Sequence, residues 1–282
     1  MGKFSTDQII KRLKKKKETG RIIFGMTASA GLIADIANRM DVDFIMIHKE
    51  SVFGIDGRVP AFARAGYGED CNLVMEEEGP AVISHAPDVP VIVGYGCFEP
   101  YENIDMVVKR FHDMGFSGVT HFPTAGGWVG HYGNIIRDAH VGYREELLDI
   151  KKRTLDGDFT VGFIFDPSQI EMIVDANPSV IAVYVPRTEE ESQWWEAAED
   201  MDTALMKASD MVKQIRDLLP ESIILCCGGT FMQVADIEKC MKKTGADGYI
   251  GDELIEARLS LDAVKKTIEE FKSLCINGGM AG

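Results

Sequence analysis

Short apolar runs alternate with amphipathic segments along almost the whole chain. Eight runs are rich in β-branched and aromatic residues, and each ends at a glycine, a proline or a polar residue, as β-strands do. These predicted strands are residues 21–26, 42–48, 90–94, 118–122, 159–165, 180–185, 222–226 and 248–251. The predicted helices are residues 32–39, 72–82, 104–114, 143–152, 167–175, 203–219, 234–243 and 261–275. This repeated alternation favours an α/β fold, a (β/α)8 TIM barrel, over an open doubly wound sheet.

One further helix opens the chain. Ser5 and Gln8 have the spacing of a capping box, and apolar residues follow them at helical spacing, which predicts an N-terminal extra helix. No linker-like tract divides the sequence, so we expect a single TIM-barrel domain over residues 1–282. Within this domain, residues 1–20 hold the N-terminal helix, and residues 276–282 are expected to form a flexible tail.

Charge and composition narrow the range of partners. The formal net charge of −15 disfavours nucleic acid, because nucleic-acid binding depends on lysine and arginine neutralising phosphates. The basic cluster at residues 11–17 fits the solvated face of a helix. No run of about 18 apolar residues and no secretory signal occurs, so we expect no membrane partner and a cytoplasmic location. No GxGxxG motif follows the first strand, and no organic cofactor is indicated.

Functional groups of a TIM barrel lie where its strands end, so the residues after each strand are the site candidates. Ser29 follows the first strand and could either bind a ligand or belong to an ordinary helix cap. The second strand ends in His48, Lys49 and Glu50, three titratable side chains in succession. Alternation places His48 and Glu50 on one face and Lys49 on the other, so only part of this set can point into the barrel mouth.

Charged residues also follow later strands. Arg58 and Arg64 lie in the long loop after the second strand, where they suit either an anionic substrate or structural ion pairs. Asp166 follows the fifth strand and precedes a proline, which favours a helix N-cap over the alternative of a magnesium ligand. Asp252 and Glu253 follow the eighth strand as a carboxylate pair that could serve structure, a cation or acid–base chemistry.

The stretch HFPTAGGWVGHYG, which begins at His121, combines glycines with aromatic side chains. We expect a strand to end in this stretch and its glycines to fold a lid over the barrel mouth, with Trp128 or Tyr132 as a hydrophobic cover. If Thr120 and Phe122 face inward, alternation turns His121 outward.

A second glycine-rich stretch, CCGGT, follows the seventh strand. Gly228, Gly229 and Thr230 stand ahead of the next predicted helix, and Gln233 completes a capping-box spacing with Thr230. Exposed backbone N–H groups before a capped helix favour a carboxylate or a phosphate, so this stretch is a candidate anion pocket, with a plain tight turn as the alternative.

Several segments together resemble one known family. They are GVTHFPTAGGWVGHYGNIIRDAHVGYREELLDI, LCCGGT, GYIGDELIE and GMTASAGLIADIANRMDVDFIMIHKE. They resemble the phosphoenolpyruvate hydrolase-like TIM-barrel family, a predicted signal-transduction barrel that also occurs fused to Tm-1-type ATP-binding domains. The resemblance covers residues 25–272. It implies a relation to the phosphoenolpyruvate mutase and isocitrate lyase superfamily, whose members make or break bonds next to a 2-oxo acid or its enolate, usually with magnesium.

The resemblance implies a lyase or hydrolase that acts on a small anionic carboxylate, of 2-oxo acid or enolpyruvate type, through an enolate-like intermediate at the C-terminal face of the barrel. In this hypothesis the catalytic candidates are His48, Glu50 and His121. The substrate-binding candidates are Ser29, Arg58, Arg64, Thr124, Gly228, Gly229 and Thr230. The candidate ligands for Mg²⁺ are Glu50, Asp166 and Asp252.

Other hypotheses remain open at this point. A non-catalytic ligand-binding or regulatory barrel could work with a Tm-1-type ATP-binding partner, because the third strand end lacks the Asp-x-Asp metal pair of better-known superfamily members. An aldolase would use Lys49 as its Schiff-base lysine. Zinc binding by His121, His131 and His140 is disfavoured, because these residues are ten and nine positions apart. The superfamily analogy also implies a homo-oligomer.

Overall fold

The computed structural model describes residues 3–59, 62–63, 69–98, 102–128, 130–185, 200–228, 234–251 and 253–273. Within them, parallel strands close into one barrel in chain order, with the last strand pairing with the first. The strands are β1 (Ile23–Thr27), β2 (Phe44–Ile47), β3 (Val91–Gly94), β4 (Gly118–Thr120), β5 (Thr160–Ile164), β6 (Val180–Val185), β7 (Ile223–Gly228) and β8 (Gly248–Gly251). The predicted (β/α)8 barrel is confirmed, and each predicted strand is present.

Helices surround the barrel. They are α1 (Thr6–Glu18), α2 (Gly31–Arg39), α3 (Lys49–Ile55), α4 (Cys71–His85), α5 (Ile104–Met114), α6 (Gly130–Asp138), α7 (Tyr143–Leu155), α8 (Ile170–Ala176), α9 (Met201–Leu218), α10 (Val234–Thr244) and α11 (Glu253–Lys272). The sequence pattern missed α3 and α6, which are short insertions after β2 and β4. It also started α11 eight residues too late, because that helix follows β8 almost without a turn.

Alternation along the strands divides the core into two layers. Phe44 and Met46 of β2 pack inside the barrel, in one cluster with residues of the other strands and of α1. Ile45 and Ile47 face outward and pack under the surrounding helices. The same alternation can be continued past each strand end, and it decides which side chains reach the barrel mouth.

The N-terminal face of the barrel is closed by α1. The capping box of Ser5 and Gln8 is present, as predicted. Ile9 and Leu13 of this helix are buried against the lower ends of the strands. The basic cluster is not simply solvated, because the ammonium group of Lys17 forms an ion pair of 2.7 Å with the carboxylate of Asp247. Asp247 lies at this face of the barrel and is half-buried.

The outermost helix, α11, leaves an apolar stripe exposed. Val264, Ile268 and Phe271 lie at helical spacing and are 55%, 52% and 71% exposed. A homo-oligomer stays a prediction.

Among the described residues, no helix is long and apolar enough to cross a membrane. The single-domain prediction also stays a prediction, and residues 276–282, the expected tail, lie outside the described residues.

Candidate functional site

The C-terminal end of β1 brings two hydroxyl groups to the barrel mouth. Thr27 is the last residue of β1 and shares the inward face with Gly25, whose added Cβ would lie 2.3 Å from the ring of Phe44 inside the barrel. Thr27 and Ser29 are only 1% and 4% exposed. Their hydroxyl oxygens have no hydrogen-bond partner within the part of the chain that the structure describes. Buried hydroxyls without partners are rare because they lose their bonds to water, so a ligand is a physical explanation for this pair.

The backbone of this segment is fixed from α11. The N–H of Ser29 donates to Oε1 of Glu256 at 2.6 Å, and Glu256 is itself buried. Ser29 was predicted as a substrate-binding residue, whereas Thr27 was not singled out. The sequence signal for Thr27 was a hydroxyl side chain at the last inward-facing position of a strand.

His48 lies on the inward side of the mouth, two residues beyond Met46 on the same face of β2. It is the N-cap of α3, and its Nδ1 accepts the N–H of Ser51 at 3.2 Å. A ring nitrogen that accepts a hydrogen bond carries no proton, so the neutral ring carries its proton on Nε2. The ring also packs against Phe122, with 4.5 Å between the centroids. Neutral His48 is therefore a hydrogen-bond donor through Nε2.

Gly94, at the end of β3, leaves room for this arrangement. A Cβ added at Gly94 would lie 2.5 Å from Cβ of His48 and 2.4 Å from the carbonyl oxygen of Phe122. The second contact is with backbone, which has no flexible end that could move away. Any side chain at this position would displace one of the two neighbours.

The two residues after His48 are buried in the first turn of α3. Lys49 and Glu50 are each 2% exposed. The ammonium of Lys49 donates to the carbonyl oxygen of Glu69 and lies 5.5 Å from the ring of Phe53. The Schiff-base role for Lys49 stays a prediction, and its amine already serves this structural contact.

Arg58 lies at the surface, and its guanidinium group already donates hydrogen bonds to two carboxylates. Its Nη2 donates to Asp56 at 2.7 Å and its Nη1 donates to Glu69 at 2.9 Å, while the group stacks over Phe53. These hydrogen bonds and charges raise the pKa of Arg58. The ion-pair alternative therefore describes the observed contacts of Arg58. Arg64, the other predicted clamp, lies outside the described residues.

His121 faces away from the barrel interior and is fully buried. Its Nε2 accepts the N–H of Phe163 at 2.8 Å, so the neutral ring carries its proton on Nδ1. That nitrogen lies 3.0 Å from Oε2 of Glu146 on α7 and donates to it. The ring packs against Tyr143 with 5.8 Å between centroids. Both nitrogens are thus occupied by contacts within the protein, and proton transfer by His121 stays a prediction.

Glu146 binds the turn that follows β4 at three points. Besides His121, it accepts the hydroxyl of Thr124 and, at 2.7 Å, the N–H of Ala125. Thr124 in turn caps the 3-10 turn Ala125–Gly127 by accepting the N–H of Gly126. Thr124 makes these contacts within the turn, and its predicted role in substrate binding stays a prediction.

The spacing of residues along α7 indicates that Glu146 is buried. Residue 146 lies three positions after Tyr143 and four before Ile150, which are both on the buried face of α7. A carboxylate on a buried helix face requires hydrogen-bond partners. The turn that it holds continues into α6, a helix with no buried residue. The rings of Trp128 and Tyr132, the predicted cover, meet there at 4.9 Å between centroids.

The neighbouring strand end is tied to the same turn. Tyr143 donates its hydroxyl to the carbonyl oxygen of Phe163 at 2.7 Å. Burial, with the negative charge of Glu146, raises the pKa of Tyr143 well above its ordinary value, so this hydroxyl stays a donor. The amide of Gln169 donates to Gly126 at 2.8 Å. Hydrogen bonds therefore join the turn after β4, the start of α7 and the end of β5.

A row of rings follows the inner wall of the mouth from β2 to β6. Phe122 lies 4.9 Å from Phe163, Phe163 lies 6.4 Å from Phe165, and Phe165 lies 5.2 Å from Tyr184, measured between ring centroids. We call His48, Phe122, Phe163, Phe165 and Tyr184 the aromatic arc. Phe165 and Tyr184 are only half-buried, so part of each ring is accessible at the mouth.

Gly228 ends β7 beside the aromatic arc. It has a φ of +71°, and a Cβ at this position would lie 2.5 Å from the ring of Tyr184. Its carbonyl oxygen accepts the hydroxyl of Tyr249 at 2.7 Å. Gly229 and Thr230, the rest of the predicted anion pocket, lie outside the described residues.

The candidate magnesium ligands do not converge in the described part of the chain. Asp166 is exposed and caps the 3-10 turn Pro167–Gln169 by accepting the N–H of Ser168 at 2.9 Å. Glu50 is buried three strands away, and Asp252 lies outside the described residues. No group of three or more His, Cys, Asp or Glu side chains that could hold a metal occurs among the residues searched. The magnesium ligands stay a prediction.

Comparisons with known proteins agree with this architecture. The ToMV resistance protein Tm-1(GCR237) of Solanum lycopersicum is 24% identical over 267 residues, which are 94% of this chain and 35% of that protein. The ToMV susceptible protein tm-1(GCR26) of the same plant matches at the same identity and coverage. The chain thus spans 35% of the length of these two relatives.

Solved structures share the barrel. One is 2,3-dimethylmalate lyase, a PEP mutase/isocitrate lyase superfamily member, with a TM-score of 0.59 and 13% identity over 98% of this chain and 90% of that chain. Another is phosphonopyruvate hydrolase in complex with oxalate and Mg²⁺, with a TM-score of 0.61 and 12% identity over 94% of this chain and 87% of that chain. Identities this low support the fold alone. A family model described as phosphoenolpyruvate hydrolase-like matches residues 8–274, and the chain therefore belongs to the phosphoenolpyruvate hydrolase-like family.

Proposed function

We propose that this chain is a lyase or hydrolase that acts on a small anionic carboxylate, of 2-oxo acid or enolpyruvate type, at the C-terminal mouth of the barrel. Membership of a family named after a hydrolase supports an enzyme. Structural neighbours named as a lyase, as phosphonopyruvate hydrolase and as oxaloacetate acetylhydrolase support the reaction class. The observation that carries the proposal is the pair of buried hydroxyls at the end of β1.

These hydroxyls have the chemistry that an oxygen-rich anion needs. Thr27 and Ser29 can each donate one hydrogen bond to a carboxylate or enolate oxygen. Such a bond gains strength in a buried site, and donors that are already in place stabilise the charge that develops when an enolate forms. The backbone N–H of Ser29 donates a hydrogen bond to Glu256. This bond fixes the backbone from which the Ser29 hydroxyl projects.

His48 is the proposed proton donor. Its neutral ring carries the proton on Nε2, because Ser51 occupies Nδ1, and it lies on the inward face of the mouth. In the neutral ring, the Nε2–H can donate a hydrogen bond to a developing enolate or leaving oxygen. To transfer a proton to an enolate carbon or a leaving oxygen, the ring would first take up a second proton on Nδ1 and give up the hydrogen bond from Ser51. Glu50 stays a proposed catalytic group on the same turn of α3. In this proposal His121 and Glu146 position the turn after β4 and do not touch the substrate.

Magnesium is supported only by a structural neighbour that was crystallised with it. The described candidates Glu50 and Asp166 are on separate strand ends, so the proposed roles of the hydroxyls and of His48 do not involve a metal. Arg64, Gly228, Gly229 and Thr230 stay proposed substrate-binding residues. For Arg58, a clamp on the substrate would require the loss of its bonds to Asp56 and Glu69.

Calorimetric titration with oxalate tests the proposal. We expect oxalate to bind, with or without added Mg²⁺, and each of Thr27→Val and Ser29→Ala to weaken binding by about tenfold, the worth of one buried hydrogen bond. Thr267→Val is the matched control, because Thr267 is exposed on α11 and bonds only to its own helix. Unchanged affinity in both mouth variants would remove the hydroxyls from the site.

A second proposal is a non-catalytic regulatory barrel that acts with a Tm-1-type ATP-binding partner. The observation in its favour is that the matched Tm-1 proteins are much longer than the region they share with this chain. Affinity capture of a nucleotide-binding protein, combined with no turnover of any 2-oxo acid, would favour this proposal. Turnover of a 2-oxo acid by the isolated chain would exclude it.

A further inference from the structure

The barrel mouth has two chemically different sides. The hydroxyls of Thr27 and Ser29 lie at the end of β1. Phe165 follows β5 and Tyr184 lies near the end of β6, and in the closed barrel of eight these two strands are four and three strands away from β1. In a closed barrel of this size, strands four apart lie on opposite walls. The polar side and the aromatic side therefore face each other across the mouth.

We infer that the substrate is a carboxylate with an aromatic or comparably large apolar substituent, whose oxygens bind the β1 hydroxyls and whose apolar end packs on the aromatic arc. This inference rests on the proposed function, because it takes the carboxylate site at β1 as given. A compact acid bound at β1 would leave the opposite wall in contact with water. An acid with an apolar group can reach that wall and cover it.

The rings of the arc support one another and hold a fixed surface. His48, Phe122 and Phe163 are buried and form the lower part of the row. Phe165 and Tyr184 complete the row at the mouth, where each keeps accessible surface. Rings at tilted or offset angles with centroids about 4.5–7 Å apart are the arrangement that aromatic groups prefer. A further ring from a ligand would extend this row.

Two glycines allow the upper rings to lie in place. A Cβ on Gly126 would come within 2.7 Å of the ring of Phe165. A Cβ on Gly228 would come within 2.5 Å of the ring of Tyr184. The backbone therefore packs directly against one side of each ring, which fixes the rings without covering them completely. A preformed apolar wall binds a ligand without the cost of ordering it.

Calorimetric titration with pyruvate and phenylpyruvate tests the inference, because the two acids carry the same 2-oxo carboxylate and differ in the phenyl ring. We expect phenylpyruvate to bind about tenfold more tightly, the scale of one aromatic contact together with its buried area. Phe165→Leu and Tyr184→Leu should each reduce the ratio of phenylpyruvate to pyruvate affinity severalfold. Phe271→Leu, at an exposed position on α11, is the matched control and should change neither.

Each outcome has a separate meaning. Equal affinity for the two acids overturns the aromatic inference and leaves the proposed function in place. Binding of neither acid overturns the proposed function and this inference with it. If a leucine variant unfolds, as thermal melting would show, Tyr184→Phe retains the ring and must preserve the preference for phenylpyruvate. Loss of the preference in that variant overturns the inference.

Discussion

Polar groups are paired at the N-terminal face of the barrel, whereas two of them are left without described partners at the mouth. At the N-terminal face, Asp247 accepts the N–H of Ile224 and pairs with Lys17 and Arg216. At the mouth, the hydroxyls of Thr27 and Ser29 have no partner among the described residues. The paired groups at the N-terminal face stabilise the fold, whereas the two hydroxyls at the mouth can still form hydrogen bonds with a ligand. This division is the one expected for a TIM barrel, whose sites lie at the C-terminal ends of the strands.

The largest effect should come from adding one carbon at the mouth. Gly94→Ala would place its Cβ 2.4 Å from a backbone oxygen and 2.5 Å from His48. We expect a loss of about 2–3 kcal/mol in the free energy of unfolding from overpacking, together with loss of oxalate binding. Urea denaturation and calorimetry would measure the two effects.

Gly142→Ala serves as the control for crowding, because its Cβ would meet nothing closer than 3.4 Å. If Gly94→Ala is as stable as the wild type and binds oxalate equally well, the packing of His48 against the end of β3 does not shape the mouth.

Glu146→Gln should disturb the turn after β4, which Glu146 holds by hydrogen bonds from α7 on the outer side of the barrel. The carboxylate accepts three hydrogen bonds from the turn after β4, and the amide would turn an N–H group toward one of those donors. We expect a loss of about 2 kcal/mol in the free energy of unfolding. ¹⁵N NMR of the histidine rings should also show a shift of the His121 Nδ1–H signal, because this group loses its carboxylate acceptor while Phe163 still donates to Nε2.

Glu145→Gln is the neighbouring control, since Glu145 makes a local capping bond to Gly142 and lies 3.8 Å from the exposed ring of His140, with no contact to the turn after β4 among the described residues. A His121 signal that stays the same in Glu146→Gln would refute the positioning role of this carboxylate.

Asp247→Asn tests the closed end. Burial raises the pKa of Asp247, but the hydrogen bonds from Lys17, Ile224 and Arg216 outweigh burial and lower the pKa. A carboxylate with a lowered pKa stabilises the fold above its unfolded pKa of about 3.9, and this stability is lost as the pH falls through the folded pKa. We expect the variant to lose about 1–2 kcal/mol at neutral pH, with oxalate affinity unchanged.

Asp202→Asn, which breaks an exposed pair with Lys239, should cost far less. Unfolding curves between pH 3 and pH 7 would make the measurement. Weaker oxalate binding by Asp247→Asn would show that the two ends are not independent.

The smallest effect concerns His112. Its hydrogen bond to Asp158 raises the pKa of His112, although burial opposes the shift. A raised pKa means that the pair stabilises the fold fully below the unfolded pKa of about 6.5 and that this stability is lost as the pH rises through the folded pKa. His112→Gln should remove this pH dependence at a cost of less than about 1 kcal/mol. Thermal melting between pH 5 and pH 9 would detect it, and an unchanged pH profile would show that the pair contributes nothing.

Much of the fold could be predicted because local pattern carries it. Strands and most helices follow from period-two and helical spacing, and the Ser5 capping box and the Asp166 N-cap were identified from short motifs. Helices α3 and α6 were missed because each lies in a segment rich in strand-end or glycine signals. The first turns of α11 escaped prediction for a related reason, since this helix begins at Glu253, only two residues after β8 ends at Gly251.

The candidate site stays a prediction, and the structure adds the contacts that its described residues make. Ser29 and His48 lie at the mouth as expected from strand ends. Thr124 and His121 are instead bound to Glu146, which is 22 and 25 residues away. Arg58 is bound to carboxylates of its own loop. A residue type at a strand end shows what chemistry is available, but the hydrogen-bond partner that uses it comes from elsewhere in the chain.

The sequence by itself determined the alternation of strands and helices, and with it the barrel and the end at which a site should lie. Only the tertiary structure decided which way His121 faces, that the hydroxyl of Thr27 has no partner among the described residues, and that rings from four strand ends meet in the aromatic arc. The physical reason is that periodicity relates a residue to its neighbours along one element. Burial and pairing depend on which other elements close around it.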